Sequence, residues 1–238
     1  MSEPRFFSLA YAERAVLRDG TQVLLRLVVP ADKELLRAGF DRLSPASRYA
    51  RFLAPKTQLS EDELRYLCEV DHENHVAIGA VRDDRTGGAG STGGAASAGQ
   101  VGLGIARFIR LADPPNTAEA AIAVADEAQH QGLGKLLFLR LVAAAAERGV
   151  ERFRCEVLGS NAGMAALLAQ ISPDRSVEVG GGVMSIEIGL PNVTPTQPPA
   201  GEPLQSPMYR LFRAAAQNAV EWTDAVRSLW RRRRGDDA

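Results

Sequence analysis

Cysteine is scarce in this chain. Cys68 and Cys155 are the two in 238 residues, far apart in sequence and set among apolar neighbours. Buried thiols in a reducing cytoplasm are expected rather than a disulfide framework. An excess of one charge is missing too. With 28 Lys and Arg against 29 Asp and Glu, the net charge is −1, so no global field draws the chain to nucleic acid. No apolar run approaches the ~18 residues of a membrane span. Met1–Ala10 is polar and lacks the apolar core of a secretory signal. Asp71, His72 and His75 suggest a metal site, but no Cys or third His stands near them and the stretch reads as a turn entering a strand. Metal ligation is therefore not expected.

What is present centres on Ala118–Glu147. Residues 118–125 are small and apolar except for Glu119, with Ile122 and Val124 β-branched, which reads as a strand. Gln129-His130-Gln131-Gly132-Leu133-Gly134 follows. From Lys135 the apolar residues fall at helical spacing until Gly149. The first N–H groups of a helix lack internal partners, and the helix dipole makes that end partly positive. Two glycines let backbone approach a bulky anion, so this turn is a candidate phosphate cradle. A P-loop is excluded, because Gln129 and Leu136 stand where it needs Gly and Ser or Thr. A dinucleotide fingerprint is excluded by Leu137 in place of its third glycine.

Around that centre, Gln22–Val29 reads as a strand ended by Pro30, and Asp32–Leu43 as a helix. A second helix starts at Ser44-Pro45, and a third opens on a Ser60/Glu63 capping box. His75–Val81 is a strand. Residues 83–99 form a Gly/Ser/Ala-rich insertion that cannot bury enough apolar area to become ordered. Strands follow at Val101–Leu111, where Gly102 and Gly104 mark a bulge or close packing, and at Arg152–Leu158. A helix spans Ala162–Ile171, and a hairpin closes the domain across Gly180-Gly181-Gly182. The expected fold is α/β: a mixed central sheet of about seven strands with flanking helices over residues 1–190. A Pro-rich linker (191–207) then leads to an amphipathic, basic helix (208–238), with Arg231–Arg234 at its end. Docking on this domain, on a partner or on a membrane surface are all open for it.

Q-x-x-G-x-G after an apolar strand bearing an acidic residue resembles the acyl-CoA pyrophosphate loop of the GNAT superfamily of N-acyltransferases. Arg18-Asp19-Gly20, Leu43–Tyr49 and Arg51-Phe52 resemble the opening half of bacterial protein-lysine acetyltransferases within it. The resemblance implies acetyl-CoA as co-substrate and an amine acceptor, with a protein lysine as one candidate. It implies a diphosphate held by Gln129, Gln131, Gly132, Leu133, Gly134 and Lys135. It also implies a pantetheine arm pairing with the backbone of Ala123, Val124 and Ala125, and a polar contact from Asn161, which is equally an ordinary helix cap. The family's catalytic Glu, in an Ala-Glu-x-Ala pattern, is matched by Ala118-Glu119-Ala120-Ala121.

The residues support that role independently. An acceptor lysine with pKa ~10.4 must lose a proton before it attacks, and a carboxylate can take it directly or through water. In strict alternation Glu119 shares a face with Ala121 and Ala123, leaving room for a substrate chain. The competing reading is a solvated carboxylate, or one pairing with an arginine such as Arg107. Two departures from the family stand out. No Tyr occurs between Tyr66 and Tyr209 to protonate the leaving thiolate, which leaves Ser160, water or no acid at all. Gln170-Ile171-Ser172-Pro173 replaces the usual Gly and aromatic. Small-molecule amine acetylation and a CoA-binding module without turnover remain as alternatives.

Overall fold

The structure, a computed structural model, describes residues 5–83, 99–172 and 175–190. The Pro-rich linker, the basic C-terminal helix and nearly all of the 83–99 insertion lie outside the described residues. One eight-stranded sheet organises the rest, in the order β1-β2-β3-β4-β5-β6-β8-β7. The strands are β1 (Ala12–Val16), β2 (Gln22–Leu27), β3 (His75–Asp83), β4 (Gln100–Arg110), β5 (Thr117–Val124), β6 (Arg152–Leu158), β7 (Arg175–Gly180) and β8 (Val183–Gly189). The helices are α1 (Lys33–Asp41), α2 (Pro45–Phe52), α3 (Glu61–Cys68), α4 (Leu133–Ala146) and α5 (Ala162–Ile171). None is long and apolar enough among the described residues to cross a membrane. All neighbouring strands are antiparallel except β5 and β6, which α4 connects in parallel.

The strand absent from the sequence reading is β1. Its segment, Ala-Glu-Arg-Ala-Val, is an edge strand with a polar face, so apolar alternation does not mark it. It pairs along its whole length with β2, and a charge contact ties it to α4. Glu13 reaches across to Arg140 of α4, whose side chain is fully buried, in a pair of 2.7 Å contacts. Local signals set the helix starts. Ser44 caps α2 by accepting from Ser47 N–H at 3.2 Å. The Ser60/Glu63 box forms in both directions, at 3.2 and 2.8 Å. Asn161 Oδ1 accepts from Met164 N–H at 3.0 Å at the head of α5.

Two features of β4 place the site. At Ala80/Val81 the β3–β4 register shifts, leaving Leu103 as the extra residue of a bulge between Gly102 and Gly104. Because of it, Gly102 faces the α1 backbone at Leu35, whereas Gly104 faces α4. A Cβ at Gly104 would lie 2.9 Å from Leu137 and 3.2 Å from the Ala123 carbonyl. The sheet is thus clamped between α1–α3 on one face and α4 on the other. Phe108, Phe138 and Phe153 meet at centroid distances of 5.8 and 5.9 Å in the core on the α4 side.

Candidate active site

The β5–β6 ladder is short. It joins Thr117–Glu119 to Arg152–Arg154 and stops, although β5 runs on to Val124 and β6 to Leu158. β6 stays paired with β8 along its whole length, so the opening lies between β5 and β6. Ala125 N–H donates to Leu103 C=O at 2.9 Å on the β4 side. Backbone groups alternate along a strand, so Ala123 shares that side, and Val124 and Ile122 turn theirs to the opened edge. The Val124 carbonyl is taken by Gln129 Nε2 at 3.2 Å. Its N–H is left as a donor facing the gap.

At the mouth of this gap stands the N-terminus of α4. Gly132 is its N-cap, with φ +90 and no side-chain cap, a backbone conformation that excludes most side chains. A Cβ on Gly134 would meet only Val124 and Ile122, at 3.7 and 3.9 Å. Nothing in the chain itself demands glycine there, and space remains in front of the amides. Leu133 is fully buried and offers main chain only. Lys135 is pulled below the ordinary lysine value by burial and then by the neighbouring charge of Arg18. Arg18, on the β1–β2 turn, donates its own N–H to Gln131 C=O at 3.2 Å and lies 3.9 Å from a Cβ placed on Gly132. Free amides and two cations therefore converge where a diphosphate would be held, and this turn is not closed by its own side chains.

The Gln129 side chain is engaged within the fold. Its amide donates to Asp126 Oδ1 at 2.9 Å and Ser47 Oγ at 3.2 Å, and Asp126 in turn accepts from Ser44 N–H at 2.8 Å. Gln129 thereby ties the end of β5 to the start of α2. Asn161 is an N-cap, as described, at the far lip of the gap. Ser160 beside it is exposed.

Glu119 projects from β5 on the face of α1–α3, in a row with His75 and Ile109 across the sheet. Ala121 and Ala123 follow it on that face, while Ile122 and Val124 point toward α4. Glu119 is exposed and forms no hydrogen bond or ion pair among the described residues. Arg107, the partner considered from sequence, bonds instead to Leu67 C=O at 2.6 Å. A cavity of about 260 Å³ opens beside the carboxylate, lined by Arg51, Phe52, Tyr66, Arg107 and Ala121 among others. It adjoins a largely apolar cavity of about 110 Å³ under α1 and α2, and Arg51, Phe52 and Arg107 line both.

Other reactive groups are set aside by their surroundings. Cys68 and Cys155 are buried free thiols, pushed up to about 11 and about 12 chiefly by burial, which suppresses thiolate chemistry. His75 is driven down to about 4 by burial and then by Arg107. No cluster of potential metal ligands occurs among the described residues. Residues underweighted in the sequence are Arg18, Arg51, Tyr66 and Arg107. Arg107 was the most legible of them, as a lone charge inside the apolar run Gly-Leu-Gly-Ile-Ala-Arg-Phe-Ile.

Comparison with known proteins agrees with this geometry. The sequence profile of the Acetyltransferase (GNAT) family matches residues 44–171, which contain the cradle, Glu119 and both cavity arginines. An acetyltransferase of Pseudomonas aeruginosa is 28% identical over 171 residues, covering 68% of this chain and 84% of that protein. The GNAT domain of PAT from S. lividans superposes with a TM-score of 0.62 at 26% identity, covering 75% of this chain and 97% of that one. The fold is shared with yncA of Salmonella typhimurium, solved with its cofactor acetyl-CoA (TM-score 0.53, 17% identity, 75% of this chain and 99% of that one). By the extent of the profile match, the chain belongs to the acetyltransferase (GNAT) family and is an acyl-CoA-dependent N-acyltransferase.

Proposed function

We propose that this protein transfers an acetyl group from acetyl-CoA to a primary amine, with a protein lysine among its acceptors and Glu119 as general base. The observation that carries the reading is a juxtaposition. One strand, β5, presents at one end a carboxylate unpaired among the described residues and, at the other, a backbone edge free of β6 that leads into a helix start without a side-chain cap.

The residues fit the co-substrate. The amides of Leu133, Gly134 and Lys135, with Gly132 at the cap and Gln131 before it, would face its diphosphate. The charges of Lys135 and Arg18 would offset the phosphates. The edge of Ala123–Ala125 would receive the pantetheine arm, with Val124 N–H aimed at the gap, and Asn161 stands across from it. When bound, acetyl-CoA supplies an activated thioester. Val124 N–H is the donor placed to stabilise negative charge on its carbonyl oxygen. Glu119 accepts a proton from the acceptor ammonium, and the small Ala121 and Ala123 leave a path between acceptor and thioester. With Cys155 buried and protonated, direct transfer without an acyl-enzyme is favoured.

A small-molecule amine is the second reading, supported by a cavity of about 260 Å³ at Glu119, room for a small acceptor. A thiol-release assay with acetyl-CoA tests the proposal, using a lysine peptide, polyamines and aminoglycosides as acceptors for the full chain. Amine-dependent release is the expected result. No release above background with any amine would contradict it.

A further inference from the structure

The cavity beside Glu119 holds more positive charge than amine transfer alone requires. Arg107 rises from the middle of β4, flanked in register by Ala77 of β3 and Ala121 of β5. It is 4% exposed. Nη2 is satisfied by Leu67 C=O, but Nη1 is buried with no partner. An unpaired N–H on a buried cation is among the more costly arrangements a fold can keep. Arg51 faces the same cavity from α2. Its guanidinium packs over the Phe52 ring at 5.0 Å and makes no hydrogen bond or ion pair among the described residues. The two arginines repel one another, and each is held below the ordinary arginine value mainly by burial. Glu119 offsets part of this charge, and Glu63 on the rim is engaged with Lys56 and the Ser60 cap. An ammonium arriving alone would meet two cations and one carboxylate.

We propose that the acceptor carries a carboxylate near its amine, and that Arg107 and Arg51 bind it while Glu119 faces the amine. This rests on the acyltransfer reading above and names the acceptor class for that site. A planar guanidinium with a spare N–H suits a carboxylate better than it suits a neutral amide. The carboxylate restores neutrality around the arginines and orients the amine toward β5. Two sources have this chemistry: a free carboxylate on a small amine, and an acidic side chain beside a lysine in a polypeptide.

The test compares acceptors that differ only in the carboxylate. One pair is Nα-acetyl-lysine against its methylamide, and another is phenylalanine against phenylalaninamide. A third is a lysine peptide with a neighbouring glutamate against the same peptide with glutamine. The expected result is a preference of about tenfold or more in kcat/KM for the carboxylate member of at least one pair. The free-acid pairs indicate a small-molecule source and the peptide pair a polypeptide source. Arg107→Gln should bring that preference near unity. Arg51→Gln should do so in part and, on the more exposed α2, keeps the test open if the first variant fails to fold. Calorimetry of the same pairs with the wild-type chain needs no turnover. Carboxylate-dependent binding without thiol release would contradict acyl transfer and leave this inference standing. Equal use of both members of every pair, or a preference that survives in both variants, would overturn it.

Discussion

A carboxylate serves as a general base only if it is not already held by another group. Glu119 meets that condition although it sits in a cavity with two arginines, because neither guanidinium forms a hydrogen bond or ion pair with it among the described residues. Arg107 is anchored on Leu67 C=O, and Arg51 lies against Phe52. At the same scale, His75 makes a separate prediction. Its imidazole Nε2 is buried without a partner, and its pKa is lowered from 6.5 to about 4. The unfolded chain therefore binds more protons than the folded one between those values. The stability contributed by neutral His75 is complete above pH 6.5 and is lost as pH falls toward 4. Melting temperatures recorded across that window should fall less steeply for His75→Gln than for the wild type. An unchanged slope would show that His75 does not titrate in this way. Neither the orphaned histidine nitrogen nor the spare Arg107 N–H was legible from sequence. Both depend on which chain segment packs above the sheet, a property of α3 and not of the residues themselves.

At the scale of elements, the α4 N-terminus separates fold from function cleanly. Gly132 is required by its backbone, with φ +90, so Gly132→Ala should destabilise the protein by about 1–2 kcal/mol and weaken CoA binding together. Gly134 is different, because its added methyl meets only ordinary contacts. Gly134→Ala should leave stability unchanged or slightly higher, by up to ~1 kcal/mol, since alanine is the better helix former. It should still reduce acetyl-CoA affinity by narrowing the space before the amides. Paired denaturation and calorimetry measure both. Loss of stability without loss of affinity would mean that the turn is structural. This element was readable in advance because a glycine turn between a strand and a helix leaves a local signature. The side-chain contacts of Gln129 were not readable in the same way. Its side chain braces β5 against α2 through Asp126 and Ser47, residues separated from it by 3 and 82 positions, and sequence spacing alone does not show such long-range pairing.

At the scale of the whole molecule, the first strand is joined to β2 by an antiparallel ladder and to α4 by a buried charge pair. Arg140 is completely buried in α4, and Glu13 of β1 is its bidentate partner. Glu13 supplies two of the contacts that hold the buried Arg140 guanidinium, and breaking a buried pair by removing one partner typically costs about 3–5 kcal/mol. Glu13→Ala should therefore lower the melting temperature far more than an edge-strand substitution normally does, and Glu13→Gln should fall between the two. The order of strands and helices from β2 to β8 was legible because period-2 and period-3.6 patterns alternate with clear breaks. β1 was not, because its segment lacks apolar alternation and its contact with α4 is electrostatic and 127 residues away. A mixed sheet was expected, but that β5 and β6 form its parallel pair, joined only at Thr117–Glu119 and Arg152–Arg154, is visible only in three dimensions.

The central claim is that β5 both receives the CoA arm along its open edge and supplies the base from its other end. Its most direct test is one variant read in two ways. Acetyl-CoA is titrated calorimetrically into the wild type and into Glu119→Gln, and thiol release is followed with the best amine found. The account predicts matching affinity in both proteins and turnover reduced by about 10²–10⁴-fold in the variant. No binding heat in the wild type, or undiminished turnover in the variant, would contradict it.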